Sequence, residues 1–253
     1  MWPQLSDEEI KALYSEKYYA SWGISGNSEN EVSKQMKVAT FLRQLKYIRQ
    51  FVVSGKALDV GCATGYFLEA AWSVGFDPYG IELSEYSSEI AKKKFGNDKI
   101  FNGKLEDCDF QSSQFASISM FDLLEHVRSP LQTLTKASEL LDKNGVILVT
   151  TPDNSSFSNK LMGKKWTHYK LEHFFYFNSK SLHLLAQQSG LRIVGEWKSK
   201  KALNLLYLHT QLNVYKHWLL TPLINFLCAI LPASFARKNF YISIGEITVA
   251  FKK

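Results

Sequence analysis

Cysteine is scarce in this chain of 253 residues: Cys62, Cys108 and Cys228 stand far apart and without metal-ligand spacing. That excludes a disulfide-stapled scaffold and a zinc site built on thiolates, and reads as reduced thiols in a cytoplasmic protein. There is no internal repeat and no low-complexity linker, so a solenoid or a tethered array is set aside. Met1–Ile10 is polar and acidic, which does not read as a secretory leader. Acidic residues thin out toward the end. Residues 154–253 hold 3 Asp+Glu against 14 Lys+Arg, whereas residues 1–153 hold 21 against 16. The net charge of +6 is therefore −5 followed by +11. A basic C-terminal part suits an acidic partner: a phosphate-bearing substrate, an anionic lipid or a nucleic acid. It is equally what a solvated surface carries.

What is present is one domain's worth of chain with an ordinary apolar content. Short apolar runs alternate with helical periods. Val38, Phe41, Leu42, Leu45, Ile48 and Val52 recur at spacings of three and four, marking an amphipathic helix. Predicted strands follow at Lys56–Val60, Tyr79–Leu83, Lys99–Asn102, Phe115–Met120, Val146–Thr150, Leu191–Trp197 and Tyr241–Phe251. Predicted helices cover Tyr66–Gly75, Ser84–Phe95, Leu131–Leu141 and Ser179–Gln188. Asp77-Pro78 reads as a turn, and Lys143-Asn144-Gly145 as the close of a helix. This alternation implies an α/β fold: a doubly wound, mostly parallel Rossmann-like sheet, with ligands at the carboxyl ends of the strands.

The most informative stretch is Leu58-Asp59-Val60-Gly61-Cys62-Ala63-Thr64-Gly65. A strand, a turn of small residues and a helix start make a cradle that lets backbone approach a nucleoside-bearing ligand. The spacing is Gly-x-Ala-x-Gly, not the Gly-x-Gly-x-x-Gly of a dinucleotide site, and Asp59 repels a pyrophosphate while suiting an ammonium or hydroxyl. A Rossmann oxidoreductase is disfavoured on that spacing. Glu82 follows Gly65 by 17 residues at a strand end, where a carboxylate can accept from ribose hydroxyls.

The stretch resembles the first motif of class I S-adenosylmethionine-dependent methyltransferases, with alanine where the family often has glycine. Leu124-Glu125-His126-Val127 after the fourth strand is similar to the ubiquinone-biosynthesis-like branch, associated with glycan, lipid and quinone modification. The likeness spans about residues 34–197 and the last strand, and includes Thr151-Pro152-Asp153 and the aromatic run Glu172–Phe177. Ala116 stands where many relatives carry Asp. The resemblance implies seven strands with the last antiparallel. It implies an entry segment over 1–33 that includes Tyr18, Tyr19 and Trp22, a core over 34–200, an apolar helical insertion over 201–238 and a final strand over 239–253. It further implies S-adenosylmethionine as methyl donor, with S-adenosylhomocysteine as product, held by Asp59, Gly61, Cys62, Ala63, Gly65, Glu82, Leu83 and Phe121. Glu106, with Asp107 as fallback, is expected at the adenine amino group.

Methyl transfer to a hydroxyl or amine needs the acceptor aligned and a proton removed. His126 and His173 border the expected acceptor site, and either can be the base. Trp166, His168 and Tyr176 are expected to line the substrate pocket. Asp122, Glu125, His126 and His173 together make a divalent-metal set, an alternative to a metal-free site. The expected reaction is O-methylation of a small-molecule, glycan or lipid-linked acceptor. The alternatives are an RNA methyltransferase, against which stands the lack of a separate RNA-binding module, and a non-catalytic nucleoside-binding protein of the same fold.

The insertion is the second unusual segment. No Lys, Arg, Asp or Glu falls between His217 and Ala236, about the length of a membrane span. A single crossing would strand the last β-strand on the far side of the bilayer, and Pro222 and Pro232 are expected to break a continuous helix. Leu205, Leu208, Leu212, Tyr215 and Leu219 form an apolar stripe. Three readings stay open: a lid or homodimer interface, a membrane-surface element, and a re-entrant hairpin. Lys198, Lys200, Lys201, Arg237 and Lys238 flank the segment in a pattern that suits an anionic interface.

Overall fold

The computed structural model describes Ser6, Glu9 and residues 31–253 apart from 215, 217 and 219. Tyr18, Tyr19 and Trp22 of the expected entry segment lie outside the described residues. So do Tyr215 and Leu219 of the apolar stripe.

Helix α1 (Glu31–Ile48) precedes strand β1 (Gly55–Val60). Then come α2 (Tyr66–Ser73), β2 (Phe76–Glu82), α3 (Glu85–Phe95) and β3 (Ile100–Asn102). Strand β4 (Phe115–Phe121), α4 (Pro130–Leu140) and β5 (Leu141–Pro152) follow, with α5 (Phe157–Met162), α6 (Ser179–Gln188) and β6 (Arg192–Lys198). The insertion comprises β7 (Lys201–Leu203), α7 (Leu205–Val214), α8 (Leu220–Ile230), α9 (Ala233–Ala236) and β8 (Phe240–Ile242), before β9 (Glu246–Lys252) closes the chain.

Seven strands form one sheet in the order β3-β2-β1-β4-β5-β9-β6. β3, β2, β1, β4 and β5 pair in parallel, while β9 pairs antiparallel with β5 and with β6. The expected sheet, with its last strand reversed, is the one observed. The central strands β1, β4, β5 and β9 are buried on both faces, as continuous apolar runs such as Val146–Val149 require. Leu58, Ile118, Met120 and Val149 pack on one face with Leu134 and Leu182 of α4 and α6. Ala57, Leu148 and Ala250 pack on the other with Leu45, Phe67 and Leu68 of α1 and α2. Ser84 caps α3 by accepting from the Ser87 amide, as its side chain type favours.

Four local readings need correction. Asp77 and Pro78 lie inside β2, paired with Lys56 and Ala57, and make no turn. Pro78 precedes the β3 pairing, which begins at Gly80, so one flank of β2 is open there and a residue without N–H is tolerated. Residues 143–145 belong to β5, beside an irregularity in its pairing with β4. Tyr241–Phe251 is two strands. Gly245, at φ 96, turns the chain between them, and β8 pairs with β7 in a separate two-stranded sheet. Pro222 sits in the first turn of α8, where its missing N–H has no intrahelical partner to lose, so only Pro232 marks a break.

Candidate active site

The carboxyl ends of β1, β2 and β4 meet where the strand order reverses, and the expected donor residues gather there. Gly61 (φ 79), Ala63 (φ 47) and Gly65 (φ 92) all adopt left-handed backbone. At Gly65 a Cβ would come within 2.6 Å of the Phe95 ring, so glycine is needed there for space as well as conformation. Ala63 carries a side chain at positive φ, a strain on the order of 1–2 kcal/mol. Its amide shows what holds it, donating to Glu82 Oε2 at 2.8 Å. The Ser84 amide donates to the other oxygen, Oε1, also at 2.8 Å. The Glu82 carboxylate is thus buried and oriented by backbone on both sides.

Asp59 is buried at the end of β1, accepting from Ser119 Oγ at 2.6 Å. Burial pushes its carboxyl up to about 8; the Ser119 bond opposes this and the Glu82 charge adds to it. Cys62 turns its thiol into the sheet beside Gly80, where burial raises its pKa well above the ordinary range, so it contributes backbone and no reactive sulfur. Its amide and that of Gly61 donate to Ile81 O, tying the turn to β2. Leu83 is half-buried, with its carbonyl accepting from Asn102 Nδ2. Phe121 packs its ring against Phe41 and Phe67, beneath the turn. Glu106 is engaged with α4: its Oε1 accepts from Thr133 Oγ1 at 2.7 Å.

The loop after β4 opens on Asp122, a second non-glycine residue at positive φ (51). The Glu125 carbonyl accepts from the amides of Phe174 (2.8 Å) and Phe175 (3.3 Å). These two bonds bring the aromatic segment, some fifty residues downstream, onto the loop. His126 and His173 consequently stack edge to face, with ring centroids 4.6 Å apart. His126 Nδ1 lies 3.0 Å from the Glu172 carbonyl, which selects the Nδ1–H tautomer and leaves Nε2 an acceptor. Burial lowers the pKa of His126, and burial together with the neighbouring His126 and Lys170 takes His173 down to about 3. Glu125 is buried: its Oε2 accepts from Thr151 Oγ1, while burial and the Asp122 charge push the carboxyl up to about 8. Two atoms here are buried without a hydrogen-bond partner, Glu125 Oε1 and His173 Nδ1. Glu125, His126 and His173 each offer a ligand atom, all within 4.8 Å of one another. Asp122, the fourth member of the expected metal set, is not in that group; it turns to Lys201.

Lys201 is the functional-site residue that sequence reasoning misassigned. Read as one of the basic groups flanking the insertion, it instead makes ion pairs at 2.8 Å to Asp122 and 2.7 Å to Glu246. Burial opposes its charge, but the two carboxylates outweigh burial and raise its pKa. At Asp122 burial acts upward and the Lys201 ammonium more than reverses it, so that carboxyl is lowered. Glu246 is buried at the start of β9, and burial pushes it up to about 7. The one available signal was that Glu246 is the sole acidic residue after Glu196.

The expected pocket residues come together as an aromatic cluster. Trp166 meets His168 (4.9 Å) and Tyr169 (5.2 Å), and Tyr176 meets Tyr169 (5.2 Å) and His173 (5.9 Å). Trp166 is buried, with Nε1 donating to Ser158, so it backs this wall. His168 Nε2 lies 3.2 Å from the Ile244 carbonyl, and the Tyr176 hydroxyl donates to the Lys170 carbonyl. The cleft of about 370 Å³ along α1, lined by Arg43, Lys46, Arg49 and Tyr241, shares no residue with this site.

A family model described as a methyltransferase domain matches residues 34–196. The chain belongs to that family. It is a class I S-adenosylmethionine-dependent methyltransferase, and the turn built on Gly61, Ala63, Gly65 and Glu82 fits that cofactor. The methyltransferase is similar to the ubiquinone biosynthesis O-methyltransferase of Coxiella burnetii, 27% identical over 79% of this chain and 83% of that one. The mitochondrial ubiquinone biosynthesis O-methyltransferase of Schizosaccharomyces pombe is 30% identical over 38% of this chain and 37% of its own. In fold it resembles a possible histamine N-methyltransferase of Thermotoga maritima (TM-score 0.58, 20% identical, 96% and 98% covered). It also resembles phosphoethanolamine N-methyltransferase 2 of Haemonchus contortus, solved with S-adenosyl-L-methionine (TM-score 0.59, 15% identical, 99% and 60% covered).

Proposed function

We propose that this methyltransferase methylates a hydroxyl oxygen of a small, glycan or lipid-linked acceptor, such as a sugar or a quinone-like phenol, in the cytoplasm. The observation that carries the reading is the cluster of Glu125, His126 and His173 beside the aromatic wall. The likeness to ubiquinone biosynthesis O-methyltransferases supports oxygen as the target. S-adenosylmethionine, when bound, supplies a methyl group on a sulfonium sulfur that leaves as the neutral thioether of S-adenosylhomocysteine. Glu82 holds the ribose hydroxyls, and the turn from Asp59 to Gly65 admits the cofactor's backbone contacts. Leu83 and Phe121 bound its apolar side, and Glu106 serves the adenine amino group.

The acceptor's proton goes to an imidazole. Burial keeps both histidines neutral, and because His173 is taken down to about 3 and is a weak base, the task falls to His126. His126, its tautomer set by the Glu172 carbonyl, presents Nε2 for this task. Trp166, His168 and Tyr176 shape the space in which the acceptor is aligned.

The two orphaned buried atoms favour a second reading. Glu125, His126 and His173, each with a ligand atom within 4.8 Å of the others, offer a mixed oxygen and nitrogen donor set for a divalent cation, and Glu125 Oε1 and His173 Nδ1 are buried with no hydrogen-bond partner. Such an ion would draw the acceptor hydroxyl in and lower its pKa. Methylation of a catechol or quinol probe, followed by mass spectrometry, tests the reaction class; no product across phenol, sugar and lipid-linked sugar probes would sink the oxygen assignment. Exhaustive chelation separates the two readings. Activity lost and restored by magnesium or zinc selects the cation, and undiminished activity selects the metal-free base. Calorimetry with S-adenosylmethionine on the same preparation reports on the donor site alone.

A further inference from the structure

The insertion presents its apolar side outward. Helix α8 packs on α7 through one face: Thr221 Oγ1 donates to the Leu212 carbonyl, Asn225 and Asn213 pair their amides, and Ile224 is buried. The opposite face carries Leu223, Phe226 and Ile230, at spacings of three and four. These side chains are 48%, 61% and 58% exposed. Trp218, just ahead of the helix, and Phe235, just after it, are exposed as well. α7 in turn packs on α1. The outward face thus belongs to a helix seated on α7.

Charge selects what covers it. Residues 197–245 contain six Lys or Arg and no Asp or Glu. Lys201 is committed to Asp122 and Glu246, whereas Lys198, Lys200, Lys216, Arg237 and Lys238 are exposed. A second copy of this chain meeting the face by twofold symmetry would set cations against cations. A layer of anionic headgroups over an apolar interior complements both features at once. None of the described helices is long and apolar enough to cross a membrane. α8, at 11 residues and about 16 Å, is suited to lying in the interface.

We propose that α8, with Trp218 and Phe235, docks the methyltransferase in the plane of a bilayer surface that carries anionic headgroups. Leu223, Phe226 and Ile230 enter the acyl boundary, and Arg237 and Lys238 at the far end of the insertion meet the headgroups. The inference concerns location and stands apart from the identity of the acceptor.

The test uses the full chain and vesicles of phosphatidylcholine with or without phosphatidylglycerol. The protein is expected to co-sediment with the anionic vesicles at low salt and to be released as salt rises. The double substitution Phe226→Glu with Ile230→Glu is expected to weaken binding by more than about tenfold, and Arg237→Glu or Lys238→Glu by about fivefold each. Both sets should keep full cofactor binding by calorimetry, which separates lost docking from lost folding and from failure of the methyltransferase site. Three outcomes overturn the proposal: no sedimentation at low salt, equal binding of the wild-type and the Phe226/Ile230 variant, or a dimer by light scattering that this variant dissociates.

Discussion

The two ends of the proposed active site are built differently. The donor end is local: Asp59 to Gly65 is one strand and one turn, and Glu82 lies on the adjacent strand, tied to that turn through the Ala63 amide. The acceptor end is assembled from distant pieces. Glu125 and His126 come from the loop after β4, His173 from the crossover before α6, Lys201 from the insertion and Glu246 from β9. Backbone bonds from Phe174 and Phe175 to Glu125, and the ion pairs of Lys201, hold them together. A cofactor common to a whole family can be met by a contiguous turn. Recognition of a particular acceptor draws on segments that vary, and these have to be gathered by tertiary contacts.

That contrast can be broken by substitution. Replacing His126 and His173 with Gln should lower kcat by about 10²–10⁴ while leaving calorimetric cofactor affinity unchanged; a matching loss of cofactor binding would mean the two ends are one unit. Glu82→Ala should weaken S-adenosylmethionine by about a hundredfold, the worth of two charge-assisted hydrogen bonds, with the far-ultraviolet circular dichroism retained. Lys201→Met leaves Glu246 and Asp122 without their cation. Because the lysine side chain is 31% exposed, the expected loss is about 1–2 kcal/mol in thermal or denaturant unfolding rather than the full penalty of a sealed pair. Adding Glu246→Gln should recover part of it, and no recovery would show that the pairing is not what Lys201 supplies.

A further effect concerns pH. A buried acid whose folded pKa lies above its unfolded value binds its proton more tightly when folded. The Asp59 contribution is therefore most favourable below 3.8 and declines as pH rises toward about 8. Asp59→Asn cannot ionise, so the ligand-free variant should lose that decline. The difference in slope is at most one proton, about 1.4 kcal/mol per pH unit. Parallel stability–pH curves for the two proteins would place the raised pKa elsewhere.

Legibility follows the same division. Hydrophobic period and glycine placement gave the strands and the helices on both sides, because those depend on neighbours in the chain; the reversed last strand was implied only by the family resemblance. Pro78 was misread since its tolerance depends on where β3 starts pairing, and Tyr241–Phe251 was misread since β8 pairs with β7. The loop histidines were legible as types suited to proton transfer, but their meeting was not, as two carbonyl-directed amides decide it. Lys201 looked like a surface charge because no acidic residue lies within four positions of it; its partners lie 79 residues upstream and 45 downstream.

The sequence by itself determined the turn proposed to hold the donor, since small residues at left-handed φ between a strand and a helix leave little choice of shape, and a carboxylate at the next strand end is tied to it. Only the tertiary structure decided the acceptor side and the outward face of α8. There the chemistry depends on which charges are brought within ion-pair distance and which apolar side chains are left uncovered, and both are properties of packing between segments that the order of residues does not bring together.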